Sequence, residues 1–115
     1  MALRQESIDQ ILNLGGASLL EKMIDAFVRS SPERVESAVE SMQRGDLEMV
    51  SRAAHSLKSS AANFGATQLV DLVAELETVS REGDAVRSSD LVEELPALYE
   101  QVVGHLETLR QGLTT

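Results

Sequence analysis

Thiol and imidazole chemistry has few candidates in this sequence. There is no cysteine, and His55 and His105 are the only histidines among 115 residues. His55 stands in the run Ala53-Ala54-His55-Ser56-Leu57-Lys58. In a helix, the imidazole and the Lys58 ammonium three residues on would share one side. A carboxylate, Glu77, follows in the next leucine-rich stretch. An imidazole whose Nδ1–H is bonded to a carboxylate is fixed in one tautomer and keeps its Nε2 lone pair free. Beside a cation, such a ring has the parts to accept a phosphoryl group. The imidazole attacks, the carboxylate stabilises the developing imidazolium, and Lys58 offsets the phosphoryl charge.

The elements around these residues must put them in reach of each other. Leu47, Val50, Ala54, Leu57, Ala61 and Phe64 step by three and four, the seam of a bundle helix, with Asp46 as its cap. At about 100° per residue, His55 lies roughly 120° from the centre of that seam, on the rim or in solvent. Its neighbours on that face are Ser51, Ser59 and Ala62, small enough to leave the ring open to a large partner. Gly65 suits the left-handed residue that ends a helix. The following helix carries Leu69, Leu72, Val73, Leu76 and Val79. Residues equidistant from a helical-hairpin turn lie roughly opposite each other. Positions 55 and 77 average to 66, inside the turn Phe64-Gly65-Ala66, which puts Glu77 across from His55. Plainer readings stand beside this one. A rim histidine beside a lysine is commonly a solvated face, and Glu77 could instead pair with Arg81 at i+4.

The remaining start and stop signals predict further helices. Ser7 with Gln10 and Ser18 with Glu21 have capping-box spacing, and Gly15-Gly16 separates them. Ser31-Pro32-Glu33 reads as another helix start: a capping hydroxyl, a proline at the first helical position and an acid favoured by the dipole. Gly45 ends that helix. Arg81-Glu82-Gly83-Asp84 reads as a polar turn. Leu91, Leu95, Leu98, Val102, Leu106, Leu109 and Leu113 form a last long stripe, with a kink or a helix boundary expected at Pro96. Short connections between amphipathic helices imply antiparallel neighbours. The expected fold is all-α, an antiparallel four-helix bundle with one or two short additional N-terminal helices, forming one domain over residues 1–115.

Composition excludes whole classes of function. Without cysteine there are no disulfides, thiolate metal sites or thiol catalysis. A net charge of -9 and a pI near 4.6 argue against binding nucleic acid through its phosphates or docking to anionic membranes. No apolar run approaches the roughly 20 residues of a membrane span, and MALRQESIDQ lacks the apolar core of a signal peptide. A cytoplasmic location is expected. No phosphate-binding glycine loop is present, so the chain should not phosphorylate itself from ATP. His105 has no second histidine at helical spacing and reads as structural or exposed.

The segment Ala53-Ala54-His55-Ser56-Leu57-Lys58-Ser59-Ser60-Ala61-Ala62-Asn63-Phe64-Gly65-Ala66 resembles the signature of histidine-containing phosphotransfer (HPt) domains. Those carry an Ala-His-x-x-Lys core, then small residues and a glycine, then a leucine-rich helix. Gly16 with the Phe27 helix, Gly45-Asp46-Leu47, and Leu76-Glu77 look like the flanking layout. The resemblance implies that His55 is phosphorylated at Nε2, that Lys58 is the nearby cation, and that Glu77 bonds the histidine ring. One departure is Ser59, where the family usually has a glycine that leaves space beside the histidine. The serine hydroxyl could donate to a phosphoryl oxygen.

By that resemblance the chain is a phosphorelay intermediate. It takes a phosphoryl group from a receiver-domain aspartate of a hybrid sensor kinase and passes it to a response-regulator aspartate. The partners are receiver domains, reached through a modest surface that includes Ser51, Arg52, Ser59 and Ala62, with the chain itself a monomer. No cofactor is expected on this chain, and Mg²⁺ is expected on the partner receiver. The initial Met favours an independent protein over a piece of a larger kinase. Ser59 keeps open an alternative, a non-catalytic helical-bundle module that binds a receiver or kinase. A small hydrolase with a His–Glu general base lacks a nucleophile and an oxyanion site.

Overall fold

The computed structural model describes residues 3–113. The outermost residues of the expected 1–115 domain, Met1, Ala2, Thr114 and Thr115, lie outside the described residues. Four helices follow in order: α1 (Gln5–Gln43), α2 (Leu47–Ala62), α3 (Thr67–Arg81) and α4 (Ala85–Leu113). Each packs on the next, and α4 closes back on α1. The connections are three or four residues long, so consecutive helices run antiparallel. The core is the shared apolar seam: Leu20, Ile24 and Phe27 from α1, Val50, Ala54 and Leu57 from α2, Leu69, Val73 and Leu76 from α3, and Leu95, Val102 and Leu106 from α4. Phe64 ends the α2 seam two residues beyond the helix but stays buried, edge-on to Phe27 at 5.6 Å.

The expected extra N-terminal element is present in a particular form. A straight 39-residue helix would be about 58 Å long, yet the longest dimension of the molecule is 45 Å. The difference is taken up at Gly16, whose φ of 72° and ψ of -166° are non-helical and essentially restricted to glycine. The short segment ahead of Gly16 turns back over the bundle and buries Ile8 and Ile11. The Arg4 amide donates to the Phe64 carbonyl at 3.4 Å, which ties this segment to the α2–α3 turn. Gly65 has a φ of 64°, and a Cβ there would come within 2.5 Å of Arg4 Cβ and 2.6 Å of Ser7 Oγ. It is required both for its own conformation and for the approach of the segment above it.

Several predicted boundaries are corrected. Ser7 and Ser18 lie inside α1, which starts after Arg4 without a side-chain cap. Ser31-Pro32 is not a helix start, because α1 runs through it. The Ser31 hydroxyl is buried, donates back to the Phe27 carbonyl and meets the Tyr99 hydroxyl at 2.7 Å. Pro96 marks no boundary, since α4 is one helix from Ala85 to Leu113. A proline in a helix interior costs about 3 kcal/mol. Here each sits on an exposed position within a stripe whose burial continues on both sides: Phe27, Val35 and Ala38 around Pro32, and Leu91, Leu95, Tyr99 and Val102 around Pro96. Each buried apolar side chain contributes on the order of 1.5–3 kcal/mol, so continuing the stripe outweighs the proline. The predicted cap Asp46 does accept from the Met49 amide, at 3.2 Å.

Candidate functional site

Helix α2 owes its placement to Val50, Ala54, Leu57 and Ala61, all fully buried. With that seam inward, His55 is turned to the outside and its side chain is 62% exposed. Helix α3 buries Leu69, Val73 and Leu76 against the same core. Glu77, the residue after Leu76, therefore falls at the edge of the interface between α2 and α3. Its side chain is only 8% exposed. The Ser51 hydroxyl donates to the Glu77 backbone carbonyl at 3.3 Å, a direct stitch between the two helices one turn before His55.

A buried carboxylate needs donors, since an unpaired one is costly to desolvate. Glu77 has three. His55 Nδ1 lies 2.8 Å from Oε2, Lys58 Nζ donates to Oε1 at 2.6 Å, and an Arg81 guanidinium nitrogen donates to Oε2 at 2.7 Å. The Lys58 hydrogen bond is the largest influence holding the Glu77 carboxyl below the usual carboxylate range. Burial opposes it, and the His55 hydrogen bond adds to it. Glu77 is thus an anion that only accepts, so the ring nitrogen facing it carries the proton. In a neutral imidazole, Nε2 then holds the lone pair and points away from Glu77 toward solvent. The arrangement is an oriented nucleophile on an open surface.

His55, Lys58 and Glu77 are therefore brought together by the fold. Lys58 is drawn onto the carboxylate, so at rest its charge is spent on Glu77 rather than held free beside His55. The predicted surface residues divide. Ser59 and Ala62 are exposed along the His55 face, and Ser51 is half-buried. Arg52 is exposed and pairs with Glu48 at 2.8 Å. His105 is exposed on α4, the helix that packs on α3 and α1. The residue that the predicted site left out is Arg81. Its signal was the i+4 spacing to Glu77, which reads as an alternative to the His55 contact. The carboxylate makes both.

Comparisons with known proteins bear on the family and the fold. The family model described as Hpt domain matches residues 22–112. The chain is 26% identical over 111 residues to the phosphorelay protein LuxU of Vibrio vulnificus (strain YJ016), covering 96% of both, and equally similar to LuxU of strain CMCP6. The crystal structure of histidine-containing phosphotransfer protein B (HptB) from Pseudomonas aeruginosa PAO1 superimposes with a TM-score of 0.89 at 27% identity. The match covers 96% of this chain and 95% of that one.

Proposed function

Because this chain belongs to the Hpt domain family, whose members carry phosphoryl groups in phosphorelays, we propose that its relay step runs through Nε2 of His55. The carrying observation is the exposed ring whose Nδ1 is held 2.8 Å from the buried, ionised carboxylate of Glu77. In the forward step the Nε2 lone pair attacks the phosphorus of a receiver's aspartyl phosphate. The N–P bond forms as the acyl O–P bond breaks, and the electron pair returns to the receiver's carboxylate. The ring becomes an imidazolium, its Nδ1 proton remains on the bond to Glu77, and the carboxylate offsets the new charge. In the onward step a second receiver's aspartate attacks the same phosphorus and Nε2 leaves.

Lys58, three residues from His55 and 35% exposed, exchanges its Glu77 contact for the phosphoryl oxygens once they arrive. Ser59, exposed one turn along, offers a hydroxyl to the same oxygens. The receiver supplies Mg²⁺ and the remaining catalytic groups. The chain works as a monomeric cytoplasmic unit over residues 1–115, docks through the face carrying Ser51, Arg52, Ser59 and Ala62, and has no ATP-dependent activity of its own. No helix among the described residues is long and apolar enough to cross a membrane.

The test is incubation with a receiver domain charged by a small-molecule acyl phosphate, followed by assay of acid-labile label on this chain. Wild type acquires label that His55→Gln does not, and ATP alone labels neither. Undiminished labelling of His55→Gln overturns the assignment.

A further inference from the structure

The two oxygens of Glu77 are not equally occupied. Among the described residues Oε1 serves Lys58 alone, whereas Oε2 receives both the His55 Nδ1 contact at 2.8 Å and the Arg81 guanidinium at 2.7 Å. Arg81 lies one turn beyond Glu77 on α3, its side chain 66% exposed. We propose that Arg81 is a positioning residue that keeps the phosphoryl group on His55 labile, by competing with the Nδ1–H for one oxygen of Glu77. This deepens the reading of His55 as the phosphoryl acceptor and rests on it.

The effect is electrostatic and local. An oxygen shared between two donors stabilises each less than it would a single one. Phosphorylation places positive charge on the ring, and that charge is stabilised through the Nδ1–H···Oε2 bond. With a permanently charged guanidinium on the same oxygen, the phosphorylated ring receives less of the carboxylate. Nε2 remains a better leaving group when the next aspartate attacks. Removing Arg81 also removes a cation from the neighbourhood of the phosphoryl group, an effect of opposite sign. Arg81 sits on the Nδ1 side, across the ring from Nε2, and is mostly in water, where a charge at that range is strongly screened. The shared oxygen therefore wins. Lys58 does not substitute for Arg81: before phosphorylation it holds the other oxygen, and afterwards it has left the carboxylate for the phosphoryl oxygens.

The test compares wild type with Arg81→Met, which keeps the aliphatic stem and loses every donor, and Arg81→Lys, which restores a cation. Three readings are taken: the equilibrium share of phosphoryl on His55 against a charged receiver, the half-life of the isolated N–P bond at neutral pH, and the Nδ1–H proton shift by NMR of the unphosphorylated protein. Arg81→Met should raise the His55 share and lengthen the half-life roughly two- to fivefold, the range of an exposed ion pair. It should move the Nδ1–H resonance downfield, and Arg81→Lys should lie near wild type. In a Glu77→Gln background Arg81→Met should change neither share nor half-life. An unchanged or shortened half-life in a normally labelled Arg81→Met protein overturns the proposal, as does the same lengthening without the Glu77 carboxylate. If wild type never labels at His55, it is the acceptor reading that has failed. The Nδ1–H shift then still decides whether the oxygen is shared.

Discussion

Glu77 is the one charged side chain among the buried described residues, and it ties the chemistry of the site to the stability of the fold. Its carboxyl is held below the ordinary value of 4.5, chiefly by Lys58 and then by His55, against burial. A group whose folded pKa is depressed stabilises the fold above its unfolded value and loses that contribution as pH falls through the folded one. Glu77→Gln keeps the shape and removes the charge. At neutral pH it should lower stability by roughly 1–2 kcal/mol, less than breaking a fully buried pair because Lys58 and Arg81 turn to solvent. Thermal melts of the two proteins should converge as pH drops below the usual carboxylate range. A gap that persists at acid pH would mean that the charge is not what stabilises. The same variant should slow phosphoryl acceptance about ten- to a hundredfold, the usual cost of losing a partner that orients an imidazole. The pairing of His55 with Glu77 was legible in the sequence because the turn between them is short and its centre is marked by Gly65. The threefold sharing of the carboxylate was not. Spacing presents Arg81 and His55 as alternatives, and only burial of Glu77 explains why it collects every donor in reach.

At the scale of elements, the α2–α3 hairpin sets the site and the N-terminal segment braces the hairpin's end. Gly65→Ala meets both demands at once, a left-handed φ of 64° and a Cβ colliding with Arg4 and Ser7. It should cost roughly 1–3 kcal/mol. Amide exchange should also show residues 5–15 losing protection before the rest of the bundle. Uniform loss across all four helices would contradict the bracing role. The α2 and α3 seams were readable because each repeats without interruption. Helix α1 was not, because Ser31-Pro32-Glu33 carries every local mark of a helix start. Those marks describe the preferences of an isolated segment. In the bundle, Phe27, Ser31 and Val35 lie on one buried face, and the Ser31 hydroxyl finds Phe27 and Tyr99 instead of a free amide. Pro96 repeats the lesson in α4, where Tyr99, absent from the leucine stripe, is also buried.

For the whole molecule, 45 × 21 × 20 Å is enough for one closed ring of helices and one shared core. Chemistry is thus left to the outer surface. With the His55 side chain 62% exposed, the proposed relay step has the reacting partner supply the groups that exclude water from the phosphoryl group. Within a chain of net charge -9, Lys58 and Arg81 gather on Glu77, the carboxylate that also holds His55. The relay step depends on which ring nitrogen takes the phosphoryl group, and correlated ³¹P, ¹⁵N and ¹H NMR of protein charged by a receiver reads that atom directly. Phosphorus coupled to Nε2 of His55, with the proton still on Nδ1, is the predicted result. Phosphorus on Nδ1, on His105 or on no histidine would contradict it.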